Sequence, residues 1–266
     1  MRVAVIIPAA GSSARFNAGA LGETRSKLDE DLGGKPVLQR TVELFHTRED
    51  VGAIIVAGPH DTTRFEAFRL RHGDKLALFG VALCRGGARH RFETVKAALE
   101  HVPDGHTHIA VHDAARPATP VELIDRVFEA ASRHPAVIPA VDVDETLKQV
   151  GDPIDAAEDR DPIAAILGAG GSGPSLRPVR RTVDRSGLVL VQTPQVFEAD
   201  LLRRAYEQPD LESTDDASLV ERLGVRVLVV EGDRRNIKIT RPADVRLVRS
   251  VLGLRPPESR PTHKRF

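Results

Sequence analysis

Cysteine is almost absent from this sequence: Cys84 is the single thiol among 266 residues. One cysteine excludes an intramolecular disulfide and a cysteine-based zinc cluster, and it fits a reducing compartment. Cys84 is expected to be a buried bystander. An excess of either charge is also missing, because 38 Lys and Arg offset 38 Asp and Glu. No global field then favours nucleic acid or an anionic membrane, so any anionic ligand must be held by a local cluster. No apolar run approaches the ~20 residues of a membrane helix. The opening residues enter a strand without a basic leader, and no repeat has the period of a solenoid. With 41% apolar and 29% charged residues, the chain can bury one large core or two unequal ones. The expectation is a cytoplasmic α/β protein that binds neither nucleic acid nor membrane.

Short β-branched runs alternate with longer helical patterns. Ile54 to Ala57, His108 to Val111, Ala136 to Pro139 and Val227 to Val230 read as strands covered on both faces. Segments around Val37 to Phe45, Phe92 to Leu99, Val121 to Ala131 and Leu201 to Tyr206 repeat their apolar residues at three and four. This order predicts a mostly parallel sheet flanked by helices, with ligands beyond the carboxyl ends of the strands. The expected domain spans 1–252. From 142 to 187 the sequence turns polar, and 151–178, rich in Gly, Pro, Ala and Asp, reads as a flexible insertion. The end, 253–266, reads as a disordered tail.

Four motifs sit where strands end. Pro8-Ala9-Ala10-Gly11-Ser12-Ser13, after the run Val3 to Ile7, lets backbone N–H groups approach phosphate oxygens, or it is only a tight turn. It is neither a Walker loop nor a dinucleotide fingerprint. Arg15 and Lys27 close it with two cations. In Val111-His112-Asp113-Ala114-Ala115-Arg116-Pro117, Asp113 can hold a divalent ion and Arg116 can reach a phosphate; equally, the two can pair to shape a turn. His112 reads as an orienting or packing residue. Glu231 to Thr240 reads as two short strands around a polar turn, with Lys238 pointing opposite to Ile237 and Ile239, or simply solvated. Gln192-Thr193-Pro194-Gln195 marks the end of a strand.

Together these pieces resemble the 2-C-methyl-D-erythritol 4-phosphate cytidylyltransferases. The resemblance runs in order through Pro8 to Gly11 with Arg15 and Lys27, Gly86-Gly87 with Arg91 and Thr94-Val95, Val111 to Pro117 and Thr146-Leu147-Lys148. It continues through Thr182 to Arg185, Gln192 to Gln195, Thr214 to Ser218 and Asn236 to Thr240. It implies a Rossmann-like nucleotidyltransferase sheet with a protruding β-arm over 142–187. The implied reaction joins CTP to a sugar-alcohol phosphate, 2-C-methyl-D-erythritol 4-phosphate, and releases pyrophosphate, a step of non-mevalonate isoprenoid biosynthesis. Carried over by position, Arg15, Lys27 and Lys238 are catalytic, while Ala9, Ala10, Gly11, Gly87 and Thr94 bind the nucleotide. Asp113 assists Mg²⁺, and Arg116, Thr146 and Arg185 face methylerythritol phosphate. The arm implies a homodimer in which Arg185 serves the neighbouring subunit's site. No nucleophilic side chain is required, since positioning and cations suffice for phosphoryl transfer, each cation contributing on the order of 2 to 4 kcal/mol.

The pattern departs from that family in places. Ser13 stands where a second glycine is usual, Ser26 replaces a proline, and extra residues separate Arg15 from Lys27, with Lys35 as the alternative loop lysine. Glu93 and Glu145 occupy positions where the family has aspartate, and 151–178 is long for the arm. A ribitol 5-phosphate cytidylyltransferase is the alternative activity, and a catalytically inactive nucleotide-binding regulatory protein is a third reading.

Overall fold

A computed structural model describes residues 1–18, 24–154 and 176–255. The chain divides into two compact units: Met1–Val141 with Val191–Phe266, and Asp142–Leu190.

The first unit begins with β1 (Val3–Pro8), the short helix α1 (Ala14–Asn17), α2 (Val37–Glu43), β2 (Val51–Gly58), α3 (Thr62–Ala77) and β3 (Ala82–Arg85). Next come α4 (Arg91–Leu99), β4 (His108–Val111), α5 (Val121–Ala131) and β5 (Ala136–Asp142). The second unit contains β6 (Leu147–Val150) and β7 (Val179–Val183), and β8 (Val189–Val191) carries the chain across the boundary. The first unit resumes with β9 (Gln195–Glu198), α6 (Ala199–Tyr206), α7 (Ala217–Arg222), β10 (Leu228–Glu231) and α8 (Pro242–Val251).

Seven strands follow the order β10, β5, β9, β4, β1, β2, β3. Pairing is parallel except at β9, which runs antiparallel to both β4 and β5. The expected mostly parallel α/β sheet is therefore what the chain adopts. Its order reverses between β1 and β4, because β1 is followed outward by β2 and β3 while β4 lies on its other side. At such a switch point the loops leaving adjacent strands diverge and open a crevice.

Strand β1 shows why both sheet faces are covered. Val3, Val5 and Ile7 join one apolar cluster with α2, α3, α5 and α8, whereas Ala4 and Ile6 join a second with α4, α6 and α7. Period-two alternation thus feeds two cores from one continuous apolar run. Each fully buried isoleucine contributes roughly 1.5–3 kcal/mol. Cys84 is buried in the second cluster, as expected.

Four helices escaped sequence reading: α1, α3, α7 and α8. The sixteen-residue α3 buries only Phe68, His72 and Leu76, so its apolar stripe is thin; Asp61 caps it by accepting from Arg64 N at 2.9 Å. In α8, Pro242 opens the helix, and Asp244 accepts from the N–H groups of Thr240 and Arg241. One expectation is corrected: β10 ends at Glu231, and residues 232–240 form no strand. The segment after it is held by side-chain bonds and scattered backbone bonds, among them Gly232 N to Ala140 O at 2.7 Å and Ile239 N to Ala115 O at 2.8 Å, in place of a ladder.

In the second unit β6 and β7 pair antiparallel, from Leu147 opposite Val183 to Val150 opposite Val179. Of the expected insertion, residues 151–154 and 176–178 are described, with Gly151 N bonded to Pro178 O and an Ile154–Leu176 bridge; 155–175 fall outside the described residues. The expected tail likewise falls outside them from 256 onward. Gly253, at a φ of 65°, adopts the left-handed turn that ends α8, and Leu254 packs back on the first core.

Candidate active site

The crevice at the carboxyl ends of β1 and β4 holds a cavity of about 360 Å³. Ala9, Ala10, Gly11, Arg15, Lys27, Gly87, Thr94, Asp113 and Lys238 all line it. Residues expected at the site from sequence are thus brought together from widely separated stretches. An adjoining cavity of about 270 Å³ is lined by Arg116, Gln192, Thr193, Gln195, Thr214 and Asp215. Arg91, Asp113 and Lys238 line both. Thr146 and Arg185 belong to the second unit, where both are exposed.

The loop after β1 is built for close approach. A Cβ at Gly11 would meet no protein atom within 4 Å, so the protein itself leaves that space open. Ser13 takes a left-handed φ of 57° and its hydroxyl accepts from Lys27 N at 3.2 Å. Lys27 Nζ donates to Ile239 O at 2.8 Å. Burial, reinforced by Lys238, pushes its amine down to about 8, against the opposing pull of Asp113. Lys35, the alternative, pairs with Glu43 at 2.9 Å and does not line the cavity, so Lys27 is the lysine that faces it.

On the far side, Gly87 N donates to Thr94 Oγ1 at 3.1 Å. A Cβ at Gly87 would lie 2.1 Å from that of Glu93, so only glycine lets this loop lie against the first turn of α4.

Asp113 is the electrostatic centre. Its Oδ2 accepts from Arg116 Nε and Lys238 Nζ, both at 3.0 Å, and its Oδ1 lies 3.7 Å from Arg91 Nε. Burial alone would raise the carboxyl's pKa, but the three cations outweigh it and hold it well below the usual carboxylate range. Both readings of the 113–116 turn therefore hold at once: Asp113 and Arg116 pair, and the pair faces a cavity. Arg116 also donates from Nη1 to Asn236 O at 2.6 Å.

Uncharged groups hold this constellation from behind. Asn236 is buried; its Nδ2 donates to Thr193 O at 2.9 Å and its Oδ1 accepts from Thr119 Oγ1 at 2.8 Å. Gln192 Nε2 donates to Asp233 O at 2.8 Å, clasping the segment that presents Lys238. Asp113 N donates to Thr193 Oγ1 at 3.1 Å, which lies 3.2 Å from His112 Nδ1. Burial pushes His112 down to about 4, so it is neutral near pH 7. Its Nε2 lies 3.3 Å from Arg116 O, consistent with an Nε2–H tautomer that accepts at Nδ1. His112 orients the turn, as expected. Gln192 to Gln195, which marked only a strand end in sequence, is the brace for both neighbouring turns.

Arg91 was missed as a site residue, although it stood in the Arg91 to Val95 stretch. Its Nη1 pairs with Asp216 Oδ2 at 2.7 Å, and Tyr206 Oη donates to Asp216 Oδ1 at 2.5 Å. Burial would lower the guanidinium's pKa, but Asp216 and Asp113 more than offset it and hold Arg91 charged. Arg64 and Arg89 also line the first cavity and were missed; single arginines carry no sequence signal until the fold brings them to one rim.

The donor set tests the fit of Mg²⁺. Among the described residues no group of three His, Cys, Asp or Glu could hold a metal. Asp113 offers one carboxylate, with Oδ1 less engaged than Oδ2. Mg²⁺ bound to phosphates usually takes one or two carboxylates and keeps several waters, so this donor set suits it.

The family model described as IspD, 2-C-methyl-D-erythritol 4-phosphate cytidylyltransferase, matches residues 3–169 and 173–253. A 2-C-methyl-D-erythritol 4-phosphate cytidylyltransferase of Frankia casuarinae is 40% identical over 253 residues, covering 95% of this chain and 82% of that protein. Another from Symbiobacterium thermophilum is 40% identical over 254 residues, covering 94% and 92%. Among solved structures, a 4-diphosphocytidyl-2C-methyl-D-erythritol synthase superposes with a TM-score of 0.68 at 32% identity over 94% of this chain and 98% of its own. The 2-C-methyl-D-erythritol 4-phosphate cytidylyltransferase of Thermus thermophilus gives 0.67 at 30% identity over 96% and 100%. Matched along nearly its whole length, the chain belongs to the 2-C-methyl-D-erythritol 4-phosphate cytidylyltransferase family.

Proposed function

We propose that the chain transfers the cytidylyl group of CTP to 2-C-methyl-D-erythritol 4-phosphate in non-mevalonate isoprenoid biosynthesis, giving 4-diphosphocytidyl-2-C-methyl-D-erythritol and pyrophosphate. The observation that carries this reading is the pair of adjoining cavities sharing Asp113, Lys238 and Arg91. The larger, with its glycine-rich turn and Lys27, suits the nucleotide; the smaller, with Arg116, suits the phosphorylated acceptor. An acceptor phosphate oxygen attacks the α-phosphorus, a new P–O bond forms, and the bond to the bridging oxygen of pyrophosphate breaks.

Two anions must first be brought together, and negative charge then grows on the α-phosphate and the leaving pyrophosphate. Ala9, Ala10 and Gly11 line the nucleotide cavity beside Arg15 and Lys27, with Gly87 and Thr94 opposite. Lys238 stands at the junction, where both the attacking and the α-phosphate oxygens would lie. Each preorganised cation lowers the barrier by an amount on the order of 2–4 kcal/mol. Asp113 would hold Mg²⁺, whose chemistry there would be further charge neutralisation. Arg116 orients the acceptor while remaining tied to Asp113 and Asn236.

Thr146 and Arg185 are assigned to acceptor binding through a homodimer whose arm is the second unit. That unit exposes Ile154, Leu176, Val179, Leu188 and Leu190, apolar area suited to a second copy. Sedimentation velocity should give a dimer; a monomer at micromolar concentration would remove the exchanged arm. We place the reaction in the cytoplasm, since both substrates are polyanions that do not cross a bilayer unaided. Among the described residues no helix is long and apolar enough to span one. Pyrophosphate release from CTP, measured with methylerythritol phosphate and with ribitol 5-phosphate, tests the assignment. Turnover with ribitol 5-phosphate alone would overturn it, and CTP binding without turnover on either would indicate a regulatory protein.

A further inference from the structure

Lys27 follows residues 19–23, which lie outside the described residues; among the described ones, its backbone is held on both sides. Upstream, Asn17 Nδ2 donates to Arg25 O at 2.9 Å while its Oδ1 accepts from Arg25 N at 2.9 Å. Ser13 Oγ then takes the Lys27 N–H. Downstream, Leu28 is buried and its carbonyl accepts from Leu38 N at 3.2 Å. The next residue, Asp29, reaches α3: His72 Nε2 lies 2.7 Å from its Oδ1, and Arg71 Nη1 donates to its Oδ2 at 2.5 Å.

His72 is unusual for its position. It is 4% exposed, packs against the Phe68 ring at 4.9 Å, and takes one of only three buried places on α3. Burying a polar ring costs about 1–3 kcal/mol unless it is hydrogen-bonded. An aliphatic side chain would satisfy packing without that cost, so what the imidazole adds is direction. Burial would raise Asp29's pKa, but His72 and Arg71 outweigh it, so the carboxylate is an ionised acceptor for Nε2–H.

We propose that the His72–Asp29 contact is a positioning device for Lys27, clamping the chain two residues beyond the lysine so that its ammonium is delivered to the α-phosphate. The proposal rests on the functional reading above. Lys27 has a flexible stem, and its Nζ is already directed beside Lys238 by Ile239 O; the remaining freedom is in the backbone. A displacement of one ångström at a reacting group costs on the order of 100-fold in rate. The Arg71 contact is more exposed, at 55% for its side chain, and contributes less.

The test compares Asp29→Ala, Asp29→Asn and His72→Gln in the full chain. Asp29→Ala is expected to lower kcat about tenfold or more while KM for CTP stays within about twofold. Asp29→Asn keeps an acceptor for His72, and His72→Gln keeps a donor for Asp29, so both should retain most of the rate. A second readout needs no turnover: reductive methylation of Lys27, followed by peptide mass spectrometry without nucleotide. The rate should rise severalfold in Asp29→Ala and stay unchanged in Asp29→Asn. Wild-type methylation in Asp29→Ala overturns the proposal, as does Asp29→Asn being as impaired as Asp29→Ala. If the wild-type chain turns over no CTP, the functional reading fails, while methylation still decides whether Asp29 fixes Lys27.

Discussion

The turn around Asp113 and the stretch around Lys27 face the same cavity but are built by opposite means. Asp113 is 7% exposed and surrounded by cations that come from the same turn, from α4 and from the Asn236 to Thr240 segment. Those elements are braced in turn by buried amide, hydroxyl or carboxylate groups. Lys27 is half-buried and depends on a few local bonds, to Ser13 before it and from Asp29 after it. The first region is preorganised at a cost met by the whole fold; the second holds a cation where a triphosphate can still enter. A nucleotidyltransferase needs both, because positioning acts through rigid groups and substrate must cross a rim.

The comparison breaks most visibly at Asp113. Asp113→Ala should strip the carboxylate from the three cations around it and cost about 3–5 kcal/mol of stability, seen as a large drop in urea midpoint. An unchanged midpoint would mean that solvent screens those cations. Lys27→Ala should instead lower kcat by roughly 10²–10³ while KM for CTP changes little, and should not lower the midpoint. A purely KM effect would make Lys27 a ground-state binder. Between them lies Asn236→Ala, expected to cost about 1–3 kcal/mol by leaving Thr119 and Thr193 O without their partner, with a fall in kcat through Lys238.

The smallest effects are those of pH. Lys27 titrates near 8 in the free protein, and catalysis needs the ammonium, so turnover at limiting CTP should decline as pH rises through 8; bound triphosphate will move that limb upward. Lys27→Arg should abolish the limb. For stability the sign is opposite: the unfolded lysine, at 10.5, binds more protons than the folded one between 8 and 10.5, so Lys27 makes the free protein more stable as pH rises across that window. His112, lowered from 6.5 to about 4, should give stability that is lost as pH falls through the same interval, because the unfolded ring takes up a proton that the buried ring refuses. A free protein equally stable at pH 4 and 6.5 would remove His112 from that account.

Much of this was legible beforehand where the local pattern was strong. Val121 to Ala131 matches α5 residue for residue, and the buried strands read as continuous apolar runs because both sheet faces are covered. The elements that went unread have weak stripes, as in α3, or stand on cap chemistry, as in α8. Lys238 shows the subtler case: its direction was read from strand alternation, but the segment is no strand, and the lysine is aimed by Asn236, Gln192 and Asp113 instead.

By itself the amino-acid sequence determined the α/β alternation, the loops at strand ends and the identity of the charged residues, since these depend on periodicity and on short motifs. Only the tertiary structure decided that Lys27 and not Lys35 lines the cavity, that Asp113 is shared by three cations, that Arg91 lines both cavities, and that Asp216 and His72 stand behind the site. Those facts depend on side chains separated by tens to hundreds of residues meeting in a low-dielectric interior, where distance and burial, not sequence spacing, set the strength of an interaction.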